Sequence, residues 1–94
     1  MLIVKLMKQK KNEYSISIKF ISTEQKINCQ MLCKNTDIFA IIEQNLYQKY
    51  PEYKETENFF LLHGTKINKN KTLEENKIKN NDVIILKVFD NEFI

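Results

Sequence analysis

The side chains with the greatest chemical reactivity in this sequence are Cys29, Cys33 and His63. A thiolate beside a histidine can act as a nucleophile with its base, and the same residue types bind zinc. Three residues separate the two cysteines, rather than the two of the common zinc-binding pair, and a single histidine leaves a four-ligand site dependent on distant carboxylates. Because Cys33 falls at a predicted strand end and His63 at a distant turn, we expect no catalytic pair, metal site or cofactor.

The simpler interpretation of the two cysteines is structural. Cys29 is expected to be a small core residue, and Cys33 is expected to border a loop. Two cysteines are also too few to replace a core by disulfides, which favours a reduced, intracellular and cytoplasmic setting. With a single glycine, Gly64, the chain has no phosphate-binding glycine loop, so we expect a protein that is not an enzyme.

Composition limits the class of protein further. Ninety-four residues with 43% hydrophobic and 11% aromatic residues predict one globular domain around one core. A formal charge of +3, from 15 basic and 12 acidic residues, lacks the excess typical of nucleic-acid binding. The opening segment is apolar before it is basic, the reverse of a secretory signal, and its apolar run is too short to span a membrane.

The first half of the chain contains two stretches in which apolar and polar residues alternate, as in half-buried strands. Their apolar members are Ile16, Ile18 and Phe20 in the first, and Ile27, Cys29 and Met31 in the second. The polar stretch from Ser22 to Gln25 separates them. We therefore expect a hairpin that turns its apolar side chains to the core, preceded by a short strand in Met1 to Lys8.

An amphipathic helix is predicted next. Thr36 can cap its first turn, and Asp37 places negative charge at the positive end of the helix dipole. Pro51 disfavours helical geometry in the residue before it, so the helix should end near Lys49 or Tyr50. The predicted buried stripe comprises Ile38, Phe39, Ile41, Ile42 and Leu46.

The second half predicts more strands. Phe59 to Leu62 is a strand that ends at Gly64, and Lys66 to Lys71 is a short edge strand or turn held by Ile67. Thr72 and Glu75 have the spacing of a capping box around the buried Leu73, which predicts a short helical turn. Val83 to Val88 is the last strand, with Ile84, Leu86 and Val88 directed to the core.

This order of elements and a set of residues in the second half resemble the ubiquitin-like family. The residues that carry the resemblance are Phe60-Leu61-Leu62-His63-Gly64, Ile67, Thr72-Leu73, Ile78, Asp82 and Ile84-Ile85-Leu86. Upstream, Ile18 and Phe20 match core positions of the family's first strand, and Ile38 matches the first buried residue of its helix. The resemblance implies an α+β, ubiquitin-like β-grasp fold, in which a mixed sheet wraps one helix.

The resemblance divides the chain into residues 15–89 as the ubiquitin-like domain, 1–14 as an N-terminal extension or extra strand, and 90–94 as a short tail. Conjugated members of the family end in two glycines, whereas no glycine follows Gly64, so we expect a protein that is not a conjugated modifier. A competing interpretation pairs Met1–Lys8 with Tyr14–Ile21 as the opening hairpin and makes Thr23–Lys34 an additional helix.

A candidate partner-binding surface follows from the alternation in the two strongest strands. If Phe60 and Ile84 point inward, Leu61 and Ile85 point outward together with Lys87. By resemblance, Leu61, Ile85 and Lys87 occupy the family's central recognition patch, and His63 lies beside it. Lys87 stands where ubiquitin has a small apolar side chain, which favours a dedicated, acidic protein partner over generic ubiquitin receptors. The alternative is that these are scattered surface hydrophobes without a binding role.

The function that these observations predict is that of a non-enzymatic ubiquitin-like protein–protein interaction module, an adaptor. We expect protein partners and no nucleic acid, membrane or small-molecule substrate. The alternative is a structural subunit of a large multiprotein assembly, in which the N-terminal segment and the Phe93-Ile94 tail are ordered by neighbouring subunits.

Overall fold

The structure, a computed structural model, describes residues 12–24 and 26–89. The predicted strand at Met1–Lys8, most of the N-terminal extension and the 90–94 tail lie outside these residues. The described chain is α+β, as the sequence predicts. Its elements are β1 (Ser15–Ser22), β2 (Asn28–Lys34), α1 (Phe39–Lys49), a 3₁₀ helix (Pro51–Glu55), β3 (Asn58–Leu62), β4 (Thr65–Lys66) and β5 (Val83–Val88).

The strands form one mixed sheet in the order β2-β1-β5-β3-β4. β1 is antiparallel to β2 and parallel to β5, while β3 is antiparallel to both β5 and β4. The β1–β2 hairpin confirms the first interpretation of the sequence. The competing interpretation is wrong, because Asn28–Lys34 is a strand and not part of a helix.

The core is centred on three phenylalanines from three different elements. Phe20 of β1, Phe39 of α1 and Phe60 of β3 are all 0% exposed. Their ring centroids lie 6.2 Å apart for Phe20 and Phe39, 5.9 Å for Phe20 and Phe60, and 4.9 Å for Phe39 and Phe60. These distances and tilted ring planes are the favourable arrangement for aromatic rings, so this cluster holds the helix against the inner face of the sheet.

The buried stripe of α1 differs from the predicted one. The buried residues are Phe39, Ile42, Leu46 and Tyr47. Ile38 and Ile41 are 45% and 54% exposed, so the assignment of Ile38 as the first buried helix residue is wrong. Both stripes have helical spacing, and the larger Phe39 side chain is the one that enters the core, which turns Ile38 and Ile41 to the surface.

The start of α1 also corrects the predicted Thr36 cap. The helix begins at Phe39, and Thr36 instead donates from its Oγ1 to Glu13 Oε2 at 2.7 Å. The first helical N–H groups are paired by backbone: Phe39 N donates to the Lys71 carbonyl at 3.0 Å, and Ala40 N donates to the Lys69 carbonyl at 2.9 Å. Because this loop satisfies the free donors of the first turn, no side-chain cap is required.

The C-terminal end of α1 and the capping box agree with the predictions. Lys49 is the last helical residue, and Pro51 begins the 3₁₀ helix. Thr72 N donates to Glu75 Oε1 at 2.9 Å, and Glu75 N donates to Thr72 Oγ1 at 3.0 Å, which is the reciprocal pattern of a capping box. The segment from 73 to 77 consists of hydrogen-bonded turns rather than a helix.

Three smaller predictions concern single side chains. Cys33 borders a loop, as predicted, because it is the last residue but one of β2, and at 6% exposed it also belongs to the core. Cys29 is half-buried and packs against the core. Val88, predicted to face the core, is 37% exposed at the end of β5, so that prediction is wrong.

No helix in the part of the chain that the structure describes is long and apolar enough to cross a membrane.

Candidate protein-binding face

We call the side of the sheet opposite α1 the outer face. Strand residues alternate between the two faces, so the neighbours of buried residues along each strand point outward. Strand pairing aligns Ile21 of β1 with Ile85 of β5, and Ile85 with Leu61 of β3. The row continues to Asn28 of β2 on one side and Lys66 of β4 on the other. One residue from each of the five strands therefore forms a row across the outer face, and its three central members are aliphatic.

The side chains of this row are exposed to the degree expected for a surface rather than for a second core. Ile21, Leu61 and Ile85 are each half-buried. Their neighbours Phe20 and Ile84, on the inner face, are both 0% exposed. Among residues 12–24 and 26–89, no further layer of the chain covers the outer face. Three adjacent aliphatic side chains are therefore presented to solvent.

Lys87 and Phe59 form the next outward pair beside this row. Lys87 is directly opposite Phe59 across β5 and β3. The Lys66 ammonium lies 5.4 Å from the centroid of the Phe59 ring, a distance suited to a cation–π contact. Lys87 is half-buried, which is common for a lysine on an apolar surface.

His63 lies at the rim of the outer face, in the turn after β3. Its φ of 51° and the φ of 82° at Gly64 are both in the left-handed region, which reverses the chain between β3 and β4. The His63 side chain is 77% exposed, and its Nε2 lies 3.8 Å from Asp82 Oδ1. Solvent screens the exposed His63 ring, so His63 is an accessible rim residue rather than part of the apolar row.

The structure thus brings the predicted site residues together to different degrees. Leu61 and Ile85 are direct neighbours, Lys87 is one row away on the same face, and His63 is at the edge. Sequence reasoning missed Ile21, although its position one residue after the inward-facing Phe20 was a sufficient signal of its outward direction.

The charge of the outer face is positive. The charged strand residues that point outward are all lysines, namely Lys19, Lys34, Lys66 and Lys87. Lys34 Nζ lies 3.5 Å from Glu13 Oε1. Within the described residues, neither Lys19 nor Lys87 forms an ion pair. An apolar row beside uncompensated positive charge is the arrangement that attracts an acidic, partly apolar partner.

The reactive residues singled out from the sequence are separated in the structure. Cys33 lies on β2 at one edge of the sheet and points into the core, whereas His63 follows β3 and is exposed. Burial raises the pKa of the Cys33 thiol to about 11, and the Asp37 carboxylate adds to the effect. A buried thiol that stays protonated at neutral pH and lies away from the histidine is a poor nucleophile.

A separate polar cluster joins the end of α1 to β3. The Tyr47 hydroxyl donates to Glu43 Oε2 at 2.5 Å and accepts from Asn58 Nδ2 at 2.8 Å. Lys69 Nζ donates to the same Glu43 oxygen at 2.8 Å and to the Asn58 carbonyl at 2.7 Å. Desolvation, reinforced by the Glu43 hydrogen bond, raises the pKa of Tyr47. Because its members satisfy one another, this cluster is structural.

Comparisons with known proteins establish the fold. No family model matches the sequence, and no curated protein matches it. Among solved structures, the chain is similar to a de novo designed protein based on ubiquitin, with a TM-score of 0.70 and 20% sequence identity. The match covers 85% of this chain and 95% of the designed protein. The chain therefore has a ubiquitin-like β-grasp fold.

Proposed function

We propose that this protein is a ubiquitin-like adaptor, a protein-interaction module that its partners bind through the outer face of the sheet. The observation that carries the proposal is the half-buried aliphatic row of Ile21, Ile85 and Leu61, with Lys87 beside it. Apolar side chains that adjoin one another on a surface are typical of contact sites, and binding energy usually concentrates in a few such residues.

The chemistry of the described residues supports binding over catalysis. The buried, protonated Cys33 thiol and the exposed His63 are on different parts of the sheet. The adaptor is proposed to act by being bound, and the expectation that it is not conjugated stays a prediction. The alternative, a structural subunit of a large assembly, depends on segments outside the described residues and stays a prediction.

The test is to purify the tagged protein from cells with its partners and to repeat this with Leu61→Ala and Ile85→Ala. Both side chains are half-buried on the outer face, so each variant is expected to remain folded and to lose the captured partner. Ile41→Ala is the matched control, because Ile41 is 54% exposed on α1, away from the outer face. If partners remain bound to both outer-face variants, the proposal is wrong.

A structural subunit would behave differently in the same cells. Removal of residues 1–10 or 90–94 would prevent its incorporation into the assembly, while Leu61→Ala would have no effect. An adaptor of the proposed kind gives the opposite result.

A further inference from the structure

The aliphatic row ends in a depression that the sequence did not predict. An open cavity of about 490 Å³ lies beside the turn between β1 and β2, next to the Ile21 and Ile85 end of the row. Its apolar lining consists of Ile21 and Ile85 of the row and the buried Ile27. The remaining lining residues are Ser22, Thr23 and Asn28. A cavity of this size with several isoleucines is suited to one large apolar side chain, with polar groups at its margin.

Two lysines stand on opposite sides of this row. β1 and β5 are parallel, and Lys19 lies opposite Val83 while Ile21 lies opposite Ile85. Along β1, Lys19 is therefore the last outward-facing residue before the row. Along β5, Lys87 is the first outward-facing residue after it. A strand advances about 3.3 Å per residue, so each lysine is displaced by roughly 7 Å along the strand direction from the row.

The remaining charges near the row reinforce this pattern. Lys66 is paired with Leu61 and closes the far end of the row on β4. Glu24, in the turn next to the depression, lies 3.8 Å from Lys26 Nζ, so its charge is already opposed locally. The row is thus bordered by lysine on three sides, at Lys19, Lys87 and Lys66.

We propose that the depression is an anchor site for a protein partner whose contact segment has one large apolar side chain flanked on both sides by Asp or Glu. This inference rests on the proposed function and specifies the partner. The apolar side chain enters between Ile21 and Ile85, and the flanking carboxylates meet Lys19 and Lys87. Removal of apolar surface from water provides attraction at the anchor, while the lysines select acidic over basic segments.

The same charges argue against a second copy of this chain as the occupant. Two outer faces brought together would bring the positive charge of Lys19, Lys66 and Lys87 on one copy close to that on the other. Like charges that meet at an interface are unfavourable and reject such a partner.

The test is a selection of random peptides displayed on phage against the whole chain. Selected peptides are expected to share an aromatic or branched aliphatic residue with Asp or Glu within a few positions on each side. A synthetic copy of a selected peptide is then titrated against protein variants. The double variant Lys19→Glu, Lys87→Glu is expected to weaken binding at least tenfold, and added salt is expected to weaken binding to the unaltered protein.

Two further variants complete the design. Ile21→Ser places a polar group in the anchor site and is expected to weaken the same peptide, with circular dichroism to verify the fold. Lys54→Glu, Lys71→Glu is the matched control, because these two exposed lysines lie outside the five strands and the same charge is changed. It should leave the affinity within twofold of the unaltered protein.

The outcomes separate this inference from the proposed function. The inference is overturned, and the adaptor role is left intact, by either of two results. In the first, the peptides lose binding to Ile85→Ala but show no preference for Asp or Glu. In the second, they lose binding to Ile85→Ala but still bind the Lys19→Glu, Lys87→Glu variant. Peptides that tolerate Ile85→Ala as well count against both. Self-association of the chain that Ile21→Ser abolishes would identify a second copy as the occupant and also overturn the inference.

Discussion

Leu61 and Ile85 lie directly opposite each other across the antiparallel pair of β3 and β5, on the face of the sheet that α1 does not cover. Each alternates along its strand with buried neighbours: Leu61 with Phe60 and Leu62 on β3, and Ile85 with Ile84 and Leu86 on β5. The contact surface is thus built on the same two strands that supply much of the core. Its geometry is rigid because the inner face of those strands is packed.

Direct pairing predicts that Leu61 and Ile85 are coupled in stability. Leu61→Ala and Ile85→Ala should each lower the free energy of unfolding modestly, and the double variant should lose less than the sum of the two. The expected coupling is about 0.2–1 kcal/mol, as for cross-strand apolar pairs. Urea unfolding of the four proteins of the cycle measures it, and strict additivity would contradict the pairing.

The helix stripe is tested by Phe39→Ala and Ile41→Ala. Phe39 is 0% exposed between Phe20 and Phe60, so its truncation should cost about 3–5 kcal/mol of unfolding free energy. Ile41 is 54% exposed, and its truncation should change stability by about 0.5 kcal/mol or less. Urea denaturation followed by far-UV circular dichroism distinguishes them. A larger loss for Ile41→Ala would indicate that Ile41 is buried, as the sequence predicts.

Two tyrosines near the end of α1 should differ in their response to loss of the hydroxyl. Tyr47→Phe removes a group that bonds to Glu43 and Asn58, and should destabilise the protein by about 1–3 kcal/mol. The Tyr53 hydroxyl is buried without a hydrogen-bond partner among the described residues. Tyr53→Phe removes that unpaired group, so its stability should be unchanged or higher in the same thermal or urea unfolding assay.

The raised pKa of Cys33 predicts a loss of stability in alkaline solution. Burial moves the pKa of this thiol from 9.0 to about 11, so between these values the unfolded chain releases a proton that the folded chain retains. The contribution of this thiol to the free energy of unfolding is fully present below pH 9 and declines as the pH rises to 11. Urea unfolding at a series of pH values measures the decline, and Cys33→Val should reduce it. An identical slope in Cys33→Val would contradict this explanation.

Gly64 offers a test of backbone geometry without a steric contribution. Its φ is 82°, and a Cβ placed there would meet nothing within 4 Å. Gly64→Ala should therefore cost roughly 1–2 kcal/mol from the left-handed conformation alone. Gly64→Asn is the matched variant, because asparagine tolerates this conformation better and should cost less in thermal unfolding. Equal losses would indicate that the conformation of residue 64 is not the cause.

The strands were predictable because alternation along a strand is a local property. The alternating residues at Ile16, Ile18 and Phe20, and from Val83 to Val88, identify each strand and the side of it that enters the core. Val88, exposed at the end of β5, is the exception. The same parity places Leu61 and Ile85 outward. The capping box at Thr72 and the helix end before Pro51 were likewise predictable, because each depends on residues within one turn of one another.

The tertiary structure decided what depends on residues distant in sequence. The Lys69 and Lys71 carbonyls pair with the first donors of α1, so the helix begins at Phe39 without the Thr36 cap. Phe39 rather than Ile41 enters the core because Phe20 and Phe60 provide the partner rings. The chain by itself determined which side chains alternate in and out. Only the pairing of β1 with β5 brought Ile21 beside Ile85 and placed lysines on both sides of the row, because strand register is set by packing across the sheet.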